Sequence, residues 1–294
     1  MQIREILWAS DGSNESRGAL RWGELLAKRL GSKVVAFTVL ETPNLSNLAV
    51  AEDLKRELTA IETKTRQRET KRIERIKELL LRKGFNAETE IATGIPHEEI
   101  LKVAQSRPVD LVVMGRRGLN AWARMLLGST TAKVLREVHV PVLTVRQSAG
   151  KPAVKDILVP TDFARSDAAA LDWAMGLAGE FGAAVTLLHI FEAHKSWDSV
   201  KGGSMGRLRD AATKKLQSII AAIPNDKRKG IVITENVKVF PRPWSGIVDF
   251  ARKRKVDIIV MSTHGRKGVP RFFLGSAAES VIKNAPCPVI AVKR

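Results

Sequence analysis

The chain has little cysteine, no tyrosine and no long apolar run, and these shortages exclude certain structures and locations. It has one cysteine, Cys287, and no tyrosine in 294 residues. A single cysteine excludes an internal disulfide, and its apolar setting beside Val289 predicts a core residue and not a nucleophile. No apolar run is long enough to cross a membrane, and no basic-then-apolar leader precedes the first predicted strand. We therefore expect a cytoplasmic protein without membrane partners.

Acidic residues are too few to balance the basic ones. The 49 Lys and Arg against 31 Asp and Glu give a formal charge of +18 and a pI near 10.3. Such an excess favours anionic partners, whether nucleotide, nucleic acid, acidic protein or lipid headgroup. Basic runs such as Arg252 to Lys255 contain no aromatic side chain that could stack on a base. Nucleic acid is therefore the less favoured of these partners, although the charge alone does not exclude it.

Glycine is concentrated in a loop that occurs twice. The first copy has the spacing G-x2-G-x9-G followed by two hydroxyl residues: Gly115, Gly118, Gly128, Ser129 and Thr130. The second copy, 147 residues later, keeps two glycines and one serine: Gly265, Gly275 and Ser276. Glycines let the backbone approach an anion closely, and Gly-Ser-Thr at a helix start offers amides and the positive end of the dipole. The pattern predicts an anion-binding turn.

The duplication extends over nearly the whole chain. Matching segments are 5–11 with 156–162, 110–114 with 257–261, and 141–145 with 288–292. This alignment pairs Trp8 with Val159 and Asp11 with Asp162. We therefore predict two domains, residues 1–147 and 154–294, joined by a short linker over residues 148–153.

Each half alternates short Val, Ile and Leu runs with helical patterns. In the first half the predicted strands are 5–10, 34–40, 87–92, 110–114 and 141–145. This alternation predicts an α/β fold: two tandem, open, doubly wound five-stranded parallel sheets with helices on both faces. Ligands of such sheets bind beyond the carboxyl ends of the strands, where the strand order reverses. Asp11, after the first strand, and the glycine loop, after the fourth, are expected to meet there.

A run without glycine or proline, from Leu45 to Lys83, predicts one long helix. Its apolar residues mark an inward face: Leu54, Leu58, Ile61, Ile76 and Leu80. The apolar residues of that face are interrupted between Thr65 and Arg72. Most of the charge on this helix is expected to be a solvated surface of paired Glu and Lys or Arg residues.

The loops lack the marks of a catalytic phosphate site. A Walker-type loop requires a lysine directly after its last glycine, and no lysine follows Gly128 or Gly275. No histidines have metal-ligand spacing, so we interpret them as structural. Three arginines belong to the first loop and favour holding phosphate over activating water: Arg116, Arg117 and Arg124.

Together these motifs resemble the universal stress proteins in their tandem, two-domain form. In that family the strand-end aspartate and the glycine loop are associated with ATP. The resemblance implies Asp11 at the adenosine end, with Val39 and Met114 beside the base. Gly94, in Gly94-Ile95-Pro96, matches another family motif. The glycine-loop residues match the phosphate positions: Gly115, Gly118, Gly128, Ser129 and Thr130. The implied protein is an ATP-binding regulator of the stress response, with or without Mg²⁺.

The second half departs from this pattern at two places. Ser262 replaces the first loop glycine, and Pro241 stands where Gly94 would align. The matching residues that remain predict a weaker or differently specific anion site: Asp162, Gly265, Gly275 and Ser276. We expect ATP mainly in the first half.

The last strands of the two halves are apolar and would form exposed edges. The family resemblance implies that 141–145 and 288–292 pair, so that the chain is an internal pseudo-dimer. A homodimer of whole chains stays open. So do two other functions, a slow ATPase or phosphotransfer enzyme and an electrostatic binder of nucleic acid or other anions.

Overall fold

The structure, a computed structural model, describes residues 1–41, 52–118, 127–146, 152–192, 204–263 and 274–293. The first half contains β1 (Glu5–Ala9), α1 (Asn14–Leu30), β2 (Lys33–Leu40), α2 (Glu52–Arg82), β3 (Ala87–Thr93), α3 (Pro96–Ser106), β4 (Leu111–Gly115), α4 (Ser129–Glu137) and β5 (Val142–Val145). The second contains β6 (Asp156–Pro160), α5 (Asp167–Phe181), β7 (Ala184–Glu192), α6 (Ser204–Ala221), α7 (Asn225–Arg228), β8 (Ile233–Phe240), α8 (Pro243–Arg254), β9 (Ile258–Ser262), α9 (Ser276–Asn284) and β10 (Val289–Val292).

All ten strands belong to one open sheet with the order β3-β2-β1-β4-β5-β10-β9-β6-β7-β8. Neighbours within each half are parallel, and each predicted strand of the first half agrees with the structure to within one residue. β5 and β10 pair antiparallel, with Leu143 opposite Ile290. The two five-stranded sheets are therefore continuous through their last strands, as the family resemblance implies.

Alternation along the strands supplies a core to each face of the sheet. Trp8 and Val159 belong to one core, which α1, α2, α5 and α6 cover, whereas Leu7 and Leu158 belong to the other. Because consecutive side chains of a strand point to opposite faces, an apolar run is buried on both sides. None of the described helices combines the length and apolar character needed to span a bilayer.

Local signals define the boundaries of α1. The Ser13 side chain accepts a hydrogen bond from the Ser16 amide at 3.1 Å, which satisfies one of the free amides of the first turn. Gly31 ends the helix with φ of 69°, a left-handed conformation that glycine adopts without strain. These boundaries place the start of α1 directly beside the carboxyl ends of β1 and β4.

The long helix α2 confirms only part of the predicted inward face. Leu80 is fully buried, but Ile61 is 56% exposed, so its assignment to the inward face was wrong. The first turns of a 31-residue helix extend past the eight-residue strand β2 beneath it, because a helix of that length is longer than the strand. Residues 45–51 and the side chain of Leu54 lie outside the described part of the chain.

Two cations connect the halves at the junction of β5 and β10. The Arg116 guanidinium donates to the Ile282 carbonyl oxygen of α9 at 3.0 Å. In the opposite direction the Lys293 ammonium donates to the Arg136 carbonyl oxygen of α4. Both acceptors lie in the last turn of a helix, where carbonyl oxygens lack intrahelical partners and the dipole favours positive charge. Each half thus places a cation on the end of a helix of the other.

The Lys293 contact predicts a stability that depends on pH. Burial lowers the pKa of Lys293 from 10.5 to about 8. Between these values the unfolded chain binds more protons than the folded one, so stability rises with pH in that window. We expect the free energy of unfolding of Lys293→Met to exceed that of the wild type by about 1 kcal/mol at pH 7, because the side chain is partly exposed, and to match it by pH 10.5. Urea unfolding of both proteins at the two pH values measures this difference. The same difference at both pH values would contradict a cost of burying the ammonium group.

Candidate functional site

The order of strands in the first half reverses between β1 and β4. From β1 the chain moves through α1 to β2 on one side, and from β4 it moves through α4 to β5 on the other. The two strands pair directly, with Ala9 opposite Met114. Their carboxyl ends therefore open into one crevice, which Asp11 enters from β1 and the glycine loop from β4.

Asp11 faces this loop directly. Its Oδ1 atom accepts a hydrogen bond from the Ser13 amide at 2.9 Å, which fixes the turn into α1. Its Oδ2 atom approaches Gly118 so closely that a Cβ built on Gly118 would lie 2.7 Å away. The carboxylate thus has a local structural role through one oxygen while the other lies against a loop glycine. The structure brings together these two predicted site residues.

Gly115 permits the closest approach in the crevice. A Cβ at this position would lie 3.0 Å from the Glu15 carbonyl carbon and the Ser16 amide nitrogen of α1. The Thr131 hydroxyl of α4 donates to the Gly115 carbonyl oxygen at 3.0 Å. The end of β4 is therefore held between the first turns of two helices, with no room for a side chain.

Glu15, which the sequence pattern did not single out, anchors the start of the loop. Its carboxylate accepts hydrogen bonds from the Arg117 amide at 2.7 Å and from the Arg117 guanidinium at 2.6 Å. An acidic residue in a first helical turn ordinarily complements the dipole, so sequence alone carries no signal for this second role.

The prediction that the loop arginines hold phosphate was wrong for the two described ones. Arg116 is buried and bound to Ile282 of the other half, and burial lowers its pKa to about 10. Arg117 is bound to Glu15. Both guanidinium groups are thus engaged in contacts within the protein. Residues 119–126, which include Arg124, lie outside the described residues.

The distal end of the loop joins α4 at Gly128. This residue is the N-cap of α4 with φ of −59°, and it offers no side chain to the amides of Ser129 and Thr130. Its own amide donates to the Arg116 carbonyl oxygen at 3.0 Å. Because φ is negative, the backbone conformation does not require glycine here, and a Cβ would lie 3.4 Å from Arg117 Cα, an ordinary van der Waals distance.

The remaining predicted residues lie around the ends of β2, β3 and β4. Met114 is buried and Val39 is partly exposed, and both pack in the same core. Gly94 follows β3 with φ of 148° and donates its amide to the Leu40 carbonyl oxygen at 2.9 Å. A non-glycine residue would be strained at that φ. Pro241, which aligns here in the second half, also has no amide proton to donate.

Arg72 of α2 also reaches this end of the sheet. Its guanidinium donates to the Ser10 hydroxyl at 3.1 Å and to the Thr38 hydroxyl at 3.2 Å, and it is paired with Glu69. The lapse in the apolar face of α2 was the sequence signal for a polar contact here. Arg72 closes the β1–β2 side of the crevice beside Gly12.

The second half keeps part of this geometry. The Ala164 amide donates to Asp162 Oδ1 at 2.9 Å, as the Ser13 amide does to Asp11. The Gly275 amide donates to the Thr263 carbonyl oxygen at 2.9 Å, and Ser276 begins α9. Gly265 lies outside the described residues.

Ser262, at the end of β9, contacts the start of α5. Its hydroxyl donates to Asp167 Oδ1 at 2.7 Å, and the Thr161 hydroxyl donates to Asp167 Oδ2 at 2.7 Å. Burial raises the pKa of this aspartate, although both hydroxyl bonds oppose that shift. A side chain thus stands in the second half where the first half has Gly115, and it binds the start of α5 through the Asp167 carboxylate.

Phe163 stands where the first half has Gly12. Both residues have positive φ, 65° and 81°, so the backbone turn is the same although the side chain is not. The ring of Phe163 packs against His189 with centroids 4.4 Å apart and ring planes tilted by 32°, and His189 Nδ1 lies 2.8 Å from the Thr161 carbonyl oxygen. A left-handed phenylalanine costs backbone energy that ring packing offsets.

Other reactive groups do not add to the site. Within the described ranges, no group of three or more His, Cys, Asp or Glu side chains could hold a metal ion. Burial raises the pKa of the Cys287 thiol to about 12, so the thiolate is scarce at neutral pH.

These features define a tandem α/β protein with a glycine-loop crevice at a sheet switch point. The model of the family described as "Universal stress protein family" matches residues 2–146 and again residues 153–293. The chain belongs to the universal stress protein family, with two family domains in tandem.

Similar proteins in archaea and bacteria are also named universal stress proteins. Universal stress protein MJ0531 of Methanocaldococcus jannaschii is 32% identical over 145 residues, or 49% of this chain and 85% of that one. Universal stress protein YxiE of Bacillus subtilis is 33% identical over 149 residues, or 49% and 99%. A universal stress protein structure from Archaeoglobus fulgidus covers 100% of this chain and 97% of its own, with a TM-score of 0.73 at 22% identity. That likeness shows the fold.

The tight contact at Gly115 predicts opposite effects for one substitution at two glycines. Gly115→Ala should lower the free energy of unfolding by about 1–3 kcal/mol, because the methyl group meets the α1 backbone. Gly23→Ala is the control, because its Cβ would meet only a Val113 methyl at 4.0 Å. It lies inside α1, so we expect a gain of about 0.5–1 kcal/mol. Urea unfolding measures both, and equal effects would disprove the close contact.

Proposed function

We propose that the first half binds ATP in the crevice between β1 and β4, and that the protein is a cytoplasmic regulator of the stress response. The observation that carries the proposal is the meeting of the Asp11 carboxylate with Gly118 at the switch point. A carboxylate suits the hydroxyls of a ribose, and a bare glycine backbone suits phosphate oxygens. The two chemistries of a nucleotide thus have adjacent partners.

The phosphates would lie against the glycine loop and the start of α4. Five residues would hold them: Gly115, Gly118, Gly128, Ser129 and Thr130. The start of α4 lacks a side-chain cap, so its first amides can serve an anion, and the dipole favours negative charge there. Arg116 and Arg117, the two described loop arginines, are bound within the protein, so backbone amides and hydroxyls would carry this role.

The adenosine would lie on the other side of Asp11. Val39 and Met114 offer apolar surface to the base, and Gly94 leaves clearance at the end of β3. Mg²⁺ would enter bound to the phosphates, because the described residues include no carboxylate cluster of their own for it. The nucleotide would supply charge and shape to a regulatory site.

The second half would bind nucleotide weakly. Asp162, Gly275 and Ser276 keep their places, and Gly265 matches in sequence. However, Ser262 has a side chain directed at the helix start. Phe163 adds a ring where the first half has a glycine. These additions reduce the clearance that phosphates and ribose need.

Arg116 offers a route from nucleotide occupancy to the rest of the molecule. It lies next to the loop residues Arg117 and Gly118, yet its side chain binds Ile282 in α9. Binding of phosphates to the loop would therefore act on a contact across the β5–β10 junction. We propose that occupancy changes the relation of the two halves and so exposes or hides a partner surface.

Paired loop substitutions test the ATP proposal. Calorimetric titration should give one tight equivalent of ATP per chain. Gly128→Arg places a long side chain in the phosphate position, and we expect at least a tenfold loss of affinity, which is about 1.4 kcal/mol. Gly275→Arg is the matched control in the second half and should leave the tight equivalent nearly intact.

Circular dichroism should confirm that both variants are folded. Unchanged affinity in Gly128→Arg would remove the phosphate role of the loop. Two equal sites in the wild type, or a larger loss in Gly275→Arg, would contradict the ranking of the halves.

A further inference from the structure

The second half contains a cavity outside the crevice proposed for ATP. It has a volume of about 490 Å³, is partly open to solvent, and lies among β6, β7, α5, α6 and α7. Its walls are predominantly apolar: Val159, Leu171, Met175, Leu187, Ile219 and Ile223. This volume is within the range of about 300–1,000 Å³ that small-molecule sites occupy.

A side-chain difference between the halves accounts for the cavity. Trp8 of β1 is fully buried, and its indole nitrogen donates to the Ser16 carbonyl oxygen at 2.8 Å. The repeat pairs Trp8 with Val159, which is also buried but has no ring. A smaller side chain in a packed core leaves a void unless its surroundings collapse. The chain therefore carries a filled and an unfilled copy of the same core.

The cavity is on a different face of the sheet from the residues proposed to contact the base. Val159 and Leu187 belong to the core beneath α5 and α6. Ile190 and Met261, which correspond to Val39 and Met114 in the repeat, belong to the opposite core. A ligand in the cavity would therefore be independent of ATP in the first half.

The mouth of the cavity carries an excess of basic side chains. Lys215 Nζ lies 4.5 Å from the centroid of the Phe163 ring, and Arg165 is exposed. Lys227, the third basic residue of the lining, is paired with Asp172. The electrostatic character of the mouth thus favours an anion.

The other acidic residue of the lining is not free to oppose an anion strongly. Asp167 already accepts hydrogen bonds from the hydroxyls of Thr161 and Ser262 and from the amides of Asp162 and Ala164. Its charge is compensated by these donors. Lys215 and Arg165 therefore dominate the field at the mouth.

We propose that the cavity binds an aliphatic monocarboxylate, with its chain against the apolar walls and its carboxylate beside Lys215 and Arg165. A neutral apolar molecule would leave the basic mouth without a counter-charge. A small hydrophilic anion would leave the apolar walls of the cavity in contact with water. An amphiphile with one negative end matches both properties.

Calorimetric titration of the full chain with dodecanoate, below its micelle concentration, tests this proposal. We expect saturable binding of one equivalent. Octanoate and decanoate should bind more weakly, with affinity rising about fourfold for each added CH₂ that enters the cavity. Dodecanol, which lacks the charge, should bind at least tenfold more weakly than dodecanoate.

Three variants identify the site. Val159→Trp restores the ring of the first half and should lower dodecanoate affinity at least tenfold. Lys215→Glu reverses a charge at the mouth and should lower dodecanoate affinity by a similar factor while changing dodecanol little. Lys214→Glu is the matched control, because Lys214 is the adjacent exposed residue of α6 and does not line the cavity.

The proposal fails if the wild type does not bind dodecanoate, or if folded Val159→Trp and Lys215→Glu both bind it as the wild type does. Equal losses in Lys214→Glu and Lys215→Glu would also overturn it, since they would indicate a general charge effect. Should Val159→Trp not fold, Ile219→Trp fills the cavity from α6 and takes its place. ATP titration of each variant keeps this result separate from the nucleotide proposal.

Discussion

The close approach of β4 to the first turn of α1 is the contact on which the candidate site depends. A Cβ built on Gly115 would lie only 3.0 Å from backbone atoms of α1, so the strand end can approach the helix this closely only without a side chain. Glu15 can then reach the Arg117 amide, and the loop begins in a position that brings Gly118 to Asp11. In the second half Ser262 places a side chain at this position, and α5 begins two residues later than the repeat places it. This serine and Phe163, which stands in place of Gly12, distinguish the second crevice from the first.

The two halves share one sheet but have diverged in their side chains, both in the core and at the crevice. The first half fills its core with Trp8 and keeps a glycine-lined crevice. The second half fills its crevice with side chains such as Phe163 and leaves its core open at Val159. A duplicated chain can change one copy because the other retains the original task. The β5–β10 junction, with Arg116 extending from the loop of one half to α9 of the other, keeps the two copies in contact.

Much of this architecture could be predicted from the sequence because it depends on local patterns. The strand runs have a pattern that the structure confirms to within one residue in the first half, and the apolar last strands pair with each other. The errors concern side chains whose partners are distant in sequence. Arg116 was expected at phosphate but is bound 166 residues away, and Ile61 lies on a helix that extends past the sheet. Charge and helical spacing say nothing about such contacts, because only the packed halves create them.

The central claim is that the first half of this chain is the tight nucleotide site and that the second half binds nucleotide only weakly. Native mass spectrometry of the intact protein, purified without added nucleotide and then titrated with ATP, tests it most directly, since it counts bound molecules per chain. We predict that the count reaches one ATP and remains there over the range in which the tight site saturates. A count of zero would contradict the site in the first half. If two ATP molecules bound over the same range of concentration, Ser262 and Phe163 would leave the second crevice able to bind nucleotide as tightly as the first.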